Sequence, residues 1–356
     1  MLSEKWFKIG IGIIMFLLII LLGTKVSFIF KPIVILVQTL FAPIVLAGVL
    51  YYLLRPIVNF LSKKLPRNLS ILILYFAFFG LITTLIMLIG PEVQRQFILM
   101  VDNLPAFAVQ LQEWATTIQE KEWFLRFRSN DVVSLDDITE YITTYFTDIS
   151  KNIGSTITGT IGFIANILIV LALIPFVLFY MLKDGKRAPL FILNILPKKH
   201  QKEAEDIIED MDDALSSYIQ GQLIVSMFVG VMAYIGYLII GLEYSLVLGL
   251  IAMLTNVIPF VGPWIGTFPA VIVGLLDTPV KAMAVIIVIV IIQQIESNIV
   301  SPQVMGRKLS IHPLTIIFLL LVAGQFAGFL GLIFAVPAYA LAKVIVSHMY
   351  KLIRLK

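Results

Sequence analysis

The chain has 356 residues, of which 60% are hydrophobic and 13% are charged, and its formal net charge is +4. This composition is typical of a polytopic membrane protein. There is no cysteine, so disulfides, thiolate metal sites and a cysteine nucleophile are excluded. The basic residues lie in short loops between apolar segments and not on one soluble face, so nucleic-acid binding is not expected.

Apolar runs in the first half of the chain predict four membrane spans. They cover residues 9–24, 32–54, 68–91 and 152–182. The first run follows Lys5 and Lys8 and has no small-residue cleavage site after it, so we predict a retained anchor span and not a signal peptide. Residues 1–91, with three spans, and residues 152–182, with the fourth, are expected to form a scaffold.

Residues 92–151 separate the third and fourth spans and contain ten acids and five bases. Two short helices are predicted in this segment. The first has apolar residues at helical spacing, namely Phe107, Leu111, Trp114 and Ile118. The second is predicted to begin at Ser134, with Asp137 three residues later as a weak capping box.

Residues 183–213 predict a cytoplasmic amphipathic helix, which Pro197 opens and which runs straight into the next span at residues 214–242. A further span covers residues 282–295 and is expected to continue to about residue 300. The loop at residues 55–67 has four bases and no acid, and the chain ends in a basic tail at residues 347–356. Both are predicted to be cytoplasmic, which places both termini inside and residues 92–151 outside.

Two uncharged segments, residues 244–276 and 309–342, have 33 and 34 residues. As single helices each would be about 50 Å long, against a hydrocarbon core of about 30 Å. Helix-disrupting residues lie near both midpoints: Pro259, Gly262 and Pro263 in the first, and Gly324, Gly328 and Gly331 in the second. The pattern predicts two re-entrant hairpins, which enter the membrane partway and return.

The predicted fold is therefore all-α: a polytopic membrane protein with six full spans, two oppositely oriented re-entrant hairpins and a small external helical segment. A span followed by an external hairpin, and a second span followed by an internal hairpin, would form an inverted-topology repeat. This repeat defines a transport unit at residues 214–346.

Glu296 is the one carboxylate far inside a predicted span, and such residues usually face a bundle interior or a water-filled pathway. Its polar neighbours are Gln293 one turn before it, and Asn298 and Ser301 after it. This cluster would suit a cation, a proton or a polyhydroxy solute. The alternative is that Glu296 lies near the cytoplasmic interface and pairs with Arg307 or Lys308.

The interruption of the first uncharged segment is a further candidate site, comprising Asn256, Pro259, Gly262 and Pro263. Because proline has no N–H to donate, backbone carbonyls here are predicted to be free to bind an ion or polar group. The alternative is a tight turn that only packs the hairpin tip.

The interruption of the second segment combines a packing motif with a polar residue. Gly324 and Gly328 have the spacing of a small-residue helix-packing motif, which is the favoured interpretation. Gln325 lies between them at the predicted tip and is the polar exception.

The chain has no phosphate-binding loop and no metalloprotease or esterase motif, and its three histidines are scattered. We therefore predict no enzymatic activity, no cofactor and no metal site.

Five segments over residues 218–342 have a recognisable order and spacing. They are Tyr218-Ile-Gln-Gly-Gln222, Asn256-Val-Ile-Pro-Phe-Val-Gly-Pro263, Glu296-Ser-Asn-Ile-Val-Ser-Pro-Gln-Val-Met-Gly306, His312-Pro-Leu314 and Gly328-Phe-Leu-Gly-Leu-Ile-Phe-Ala-Val-Pro337. In these motifs the C-terminal third resembles the autoinducer-2 exporter (AI-2E) family of bacterial transporters. The N-terminal half matches that family in layout only.

The resemblance implies a secondary transporter in the bacterial cytoplasmic membrane, with alternating access of the hairpin unit. Export of autoinducer-2, a furanosyl molecule of quorum sensing, is the activity for which the family is named. Other members resemble sodium or lithium/proton antiporters, so the expected partners are membrane lipid and a small polar solute, a monovalent cation or a proton. The resemblance also implies a homo-oligomer, with a pentamer as one form. A non-transporting membrane scaffold or regulator is the alternative of another class, which the carboxylate and the broken helices disfavour.

Overall fold

A computed structural model describes residues 4–25, 27–119, 144, 161–185, 188–305 and 311–354. All regular secondary structure in these ranges is helical. The helices are α1 Glu4–Lys25, α2 Ser27–Leu61, α3 Arg67–Asp102, α4 Leu104–Gln119, α5 Ile161–Asp184, α6 Ala188–Ile195, α7 Lys198–Ile239, α8 Ser245–Thr255, α9 Val261–Asp277, α10 Pro279–Ile295, a π-helix Glu296–Val300, α11 Ser301–Met305 and α12 Pro313–Arg354.

Within the described ranges, five helical segments are long and apolar enough to cross a membrane. They are Val34–Leu61, Arg67–Asp102, Lys198–Ile239, Pro279–Met305 and Pro313–Tyr350. The helices α8 and α9 are apolar but shorter. The chain is thus all-helical with the character of a polytopic membrane protein, while six full spans with two re-entrant segments stay a prediction.

The long helix α7 follows Pro197 and continues without a break to Ile239, as expected for a helix that runs straight into a span, while its cytoplasmic side stays a prediction. The first predicted external helix corresponds to α4. The second, from Ser134, lies outside the described residues except for Thr144.

The N-terminal helices share one apolar core. It joins α2, α3 and α5 through eight buried residues: Ala47, Tyr51, Leu54, Val58, Ile71, Leu74, Leu178 and Leu182. Two hydrogen bonds cross this core from α3 to α5. The hydroxyl of Tyr75 donates to the carbonyl of Pro175 at 2.7 Å, and Nε of Arg67 donates to the carbonyl of Leu182 at 2.7 Å.

The helix α7 is the centre of the C-terminal half, where it contacts α2, α6, α8, α10, α11 and α12. A Cβ on Gly236 would clash with Val288 of α10, and one on Gly221 would lie 2.6 Å from Cγ of Met305 in α11. The later residue of α7, Gly236, contacts the earlier residue Val288, and Gly221 contacts Met305, so α7 runs antiparallel to α10 and α11. The glycines allow these helices to approach closely.

The N-terminal part of α7 is held on two sides by polar contacts. Nη1 of Arg55 in α2 lies 2.6 and 2.9 Å from the two carboxylate oxygens of Asp212. Nε2 of His348 in α12 lies 2.8 Å from Oδ2 of Asp210. Acids two positions apart on a helix point in different directions, so α7 is fixed between α2 and α12.

The chain reverses direction between α8 and α9, which together form the first hairpin. Phe260, at the end of the connecting residues 256–260, has a φ of 62°, which is uncommon for a residue other than glycine. A Cβ on Gly262 would clash with the carbonyl oxygen of Thr255, and one on Gly266 would lie 2.9 Å from Cα of Ala252. Only glycine at these positions lets the two helices pack this closely.

The open end of the first hairpin is closed by Lys281. Its Nζ donates to the carbonyl of Gly241 at 3.0 Å and forms an ion pair with Asp277. Gln96 of α3 caps the start of α8, where Oε1 accepts from two backbone N–H groups at 3.2 and 3.3 Å. The beginning of α8 and the end of α9 therefore lie together, beside the C-terminal end of α7.

The helix α12 also folds back on itself and forms the second hairpin. Gly328 has a φ of 57° and a ψ of −138°, outside the helical region. A Cβ on Gly331 would clash with the carbonyl oxygen of Ala323, and one on Gly324 would lie 3.0 Å from Cδ2 of Leu332. The residues of each pair are eight positions apart and would be separated by about 12 Å in a straight helix. Their contact therefore means that the two arms of α12 lie against each other.

The two hairpins open toward opposite ends of α7. Lys281 closes the first beside the C-terminal end of α7, while His348, at the open end of the second, contacts Asp210 near the N-terminal end. This antiparallel arrangement is what an inverted repeat requires.

Alanine at Gly262 or at Gly331 is expected to destabilise the protein by roughly 2 kcal/mol, because the added Cβ must push the two arms of a hairpin apart. Thermal unfolding in detergent measures this change. Gly80→Ala in α3 is the matched control, since its Cβ would meet nothing within 4 Å. Equal stability of all three variants would contradict the role of the glycines.

Candidate functional site

The helix that contains Glu296 is interrupted by one π-helical turn, Glu296–Val300, between α10 and α11. Such turns are rare and frequently occur at functional sites. Oγ of Ser297 donates to the carbonyl of Gln293 at 2.8 Å, and Nδ2 of Asn298 donates to that of Gln294 at 2.9 Å. Side chains that bond back to carbonyls of the preceding turn compete with the backbone ladder, which is consistent with a π-turn here.

Glu296 is half-buried, and its Oε1 accepts a hydrogen bond of 2.7 Å from Oγ of Ser301. The two residues are five positions apart, which is the repeat of a π-helix. Gln293 lies one turn earlier, and its Nε2 is buried with no partner in the described part of the chain. We call Gln293, Glu296 and Ser301 the carboxylate cluster. It combines a carboxylate, a hydroxyl and an amide, whose oxygens suit a small hard cation or a proton.

Asn298 does not join this cluster. It is exposed, and its Nδ2 also donates to Oε1 of Gln294 at 3.0 Å. The alternative partners of Glu296, Arg307 and Lys308, lie outside the described residues.

The tip of the first hairpin has fewer free carbonyls than predicted. Four of them accept hydrogen bonds within the chain: those of Thr255, Asn256, Ile258 and Pro259. Pro263 lies in the first turn of α9, where an N–H would have no partner within the helix in any case. The expectation of bare carbonyls that bind an ion is therefore not supported at these four positions.

The tip of the second hairpin is open to the surroundings. Gln325 and Gly328 are exposed, whereas Gly324 faces Leu332 of the opposite arm. This contact agrees with a packing role for Gly324, and the positive φ of Gly328 accounts for the reversal.

The two tips are not joined to each other or to the carboxylate cluster by hydrogen bonds among the described residues. The first tip instead reaches the arms of the second hairpin. Ile258 belongs to a buried cluster whose other members are Tyr218, Ile219, Ile316, Leu320, Ala335 and Val336. The predicted site residues thus form three separate groups around α7.

A buried polar stripe on α7 was missed as a candidate site. It consists of Tyr218, Gln222 and Ser226, which are 6%, 7% and 2% exposed. The hydroxyls of Tyr218 and Ser226 have no hydrogen-bond partner among the described residues, and Nε2 of Gln222 donates to the carbonyl of Asn256 at 2.6 Å. The sequence signal was a polar residue at every fourth position within an apolar span.

The model of the AI-2E family transporters matches residues 14–351. The chain belongs to the AI-2E transporter family. The resemblance seen in the C-terminal motifs is therefore confirmed, and it extends over the N-terminal half. This is a family of transport proteins.

Several relatives align with this AI-2E chain over most of their length. YueF of Bacillus subtilis (strain 168) is 43% identical over 356 residues, which cover 100% of this chain and 96% of YueF. YrrI of the same organism is 34% identical over 345 residues, covering 94% and 95%. PerM of Escherichia coli (strain K12) is 26% identical over 310 residues, covering 86% of each. The first two are named as candidate transport proteins and the third as a candidate permease.

Proposed function

We propose that this AI-2E family member is a secondary transporter, which moves a small polar solute across the bacterial cytoplasmic membrane by alternating access. The observation that carries this proposal is the carboxylate cluster, in which a half-buried Glu296 lies at an interruption of an apolar helix, bonded to Ser301 and one turn after Gln293, whose buried amide nitrogen has no partner among the described residues. Ionisable residues within membrane helices are costly, and they commonly mark pathways for ions and protons.

Autoinducer-2 is the first candidate solute, because the family is named for its export. Sodium or lithium/proton antiport is the second candidate. The oxygen donors of the carboxylate cluster favour it, since small monovalent cations and protons bind to carboxylate, hydroxyl and amide oxygens. A homo-oligomer, for example a pentamer, would provide a fixed frame for the moving unit.

The moving unit of this proposal is α7 to α12, with both hairpins inserted partway into the membrane from opposite sides. The support is geometric: Lys281 closes the first hairpin at its open end, His348 ties the open end of the second hairpin to α7, and the two open ends lie at opposite ends of α7. Broken helices in the two halves of such a repeat commonly surround the transport pathway.

The re-entrant arrangement predicts the sides of two loops. The natural chain has no cysteine, so Asp277→Cys and His312→Cys can be labelled singly with a maleimide that does not cross the membrane. We expect Asp277→Cys to react from outside intact cells and His312→Cys only after the cytoplasmic face is exposed. An exchange of these two sides would mean that residues 244–276 cross the membrane completely.

Glu296→Gln tests the transport proposal directly. The amide keeps the size of the side chain but cannot change its charge, so coupling to a cation or proton gradient should be lost. In liposomes with the purified protein, we expect gradient-driven accumulation of autoinducer-2, or of sodium or lithium, to fall by at least about tenfold. We expect equilibrium exchange of solute to persist in this variant, because exchange needs no gradient coupling.

Glu209→Gln, at an exposed position of the cytoplasmic part of α7, is the control and should behave as the wild type. If Glu296 instead pairs with Arg307 or Lys308, the Gln variant loses modest stability, and neutralising the base restores both stability and transport. If the pH profile of transport by Glu296→Gln equals that of the wild type, Glu296 has no coupling role. If the wild-type protein transports none of these solutes, the alternative of a non-transporting scaffold or regulator is favoured.

A further inference from the structure

We propose that the polar stripe of α7 binds an uncharged, hydroxyl-bearing solute at the place where the two hairpins meet. This inference rests on the proposed transport function and assigns the solute to Tyr218, Gln222 and Ser226. The coupling ion belongs to the carboxylate cluster, so solute and ion would occupy different groups of residues.

The stripe contains polar groups that the fold leaves unused. Tyr218, Gln222 and Ser226 follow one another at intervals of four residues, so they lie along one side of α7 over about 12 Å. The hydroxyls of Tyr218 and Ser226 are buried and have no partner among the described residues. A buried polar group without a hydrogen bond costs about 1–3 kcal/mol, and two of them on one stripe call for a functional reason.

Both hairpins contact the stripe. Gln222 donates to the carbonyl of Asn256 and so holds the tip of the first hairpin against α7. Tyr218 packs with Ile258 of that tip and with both arms of the second hairpin, through Leu320 and other apolar residues. Because Gln222 is bonded to the first hairpin and Tyr218 shares a buried cluster with both hairpins, a displacement of either hairpin would open this part of the stripe to a solute.

The chemistry of the stripe selects for a neutral ligand. Tyrosine and serine hydroxyls both donate and accept hydrogen bonds, and the amide oxygen of Gln222 is a further acceptor. None of the buried polar residues in the described ranges is charged, so a charged solute at the stripe would meet no buried opposite charge to replace its hydration. A small polyhydroxylated molecule can satisfy the hydroxyls and bring no charge.

Accessibility tests the stripe without knowledge of the solute. In a chain that has no cysteine, Ser226→Cys should react with a small, uncharged methanethiosulfonate reagent whenever the hairpins open. Val229→Cys is the matched control, because Val229 is on the same helix, 1% exposed and part of the apolar core. We expect Ser226→Cys to react at least about tenfold faster. Equal resistance of both cysteines would overturn the inference.

A pair of tyrosine variants separates solute binding from stability. Tyr237, about 28 Å along α7 from Tyr218, also carries a buried hydroxyl without a partner among the described residues. Tyr218→Phe and Tyr237→Phe each remove such a hydroxyl, so both should retain or raise the unfolding temperature. The single variants Tyr218→Phe and Ser226→Ala should each raise the KM for autoinducer-2 in liposomes by about three- to tenfold. Tyr237→Phe should leave this KM unchanged.

The outcomes distinguish this inference from the proposed function. If the wild type transports autoinducer-2 and both stripe variants keep its KM, the stripe is not the solute site and the transport proposal stands. If the wild type transports nothing, the transport proposal fails, and the stripe is judged by the cysteine labelling alone.

Discussion

Backbone groups inside a bilayer have no water to bond, so each irregular turn at that depth needs partners within the protein. The proposed insertion of the first hairpin depends on meeting this constraint. Gln222 supplies the donor for the carbonyl of Asn256, and backbone N–H groups of the turn donate to the carbonyls of Thr255, Ile258 and Pro259. Gly262 and Gly266, where the two arms touch, allow the backbones of α8 and α9 to pack closely. A chain reversal can therefore be buried here at low cost.

The helix α7 serves both halves of the molecule. Its N-terminal part binds α2 through Asp212 and the second hairpin through Asp210. Its middle bears the polar stripe, and its C-terminal end lies beside the closed base of the first hairpin. Charged contacts are thus concentrated toward the ends of α7, whereas the middle offers only uncharged polar groups.

Hydropathy and helix-breaking residues were sufficient to predict the apolar helices, the continuous α7 and the interruptions near Pro259 and Gly328. Local sequence could not predict the π-turn at Glu296, because a change of backbone register depends on side-chain bonds and on packing against α7. It also could not predict that Gln222 would occupy the carbonyl of Asn256, since the two residues are 34 positions apart. The prolines suggested free carbonyls, but backbone N–H groups of the turn bond to three of them and Gln222 of α7 bonds to the fourth.

Lys281 holds Gly241 and Asp277 together at the open end of the first hairpin. The base of the hairpin is therefore fixed, and its tip is the end that can move furthest when the hairpin tilts. The helix α9 has 17 residues and is about 25 Å long. A tilt of about 10° about this base would move the tip of the hairpin by roughly 4 Å, more than the diameter of a water molecule. A slight rotation at the base of the hairpin would thus be enough to open a gap at its tip, deep within the protein.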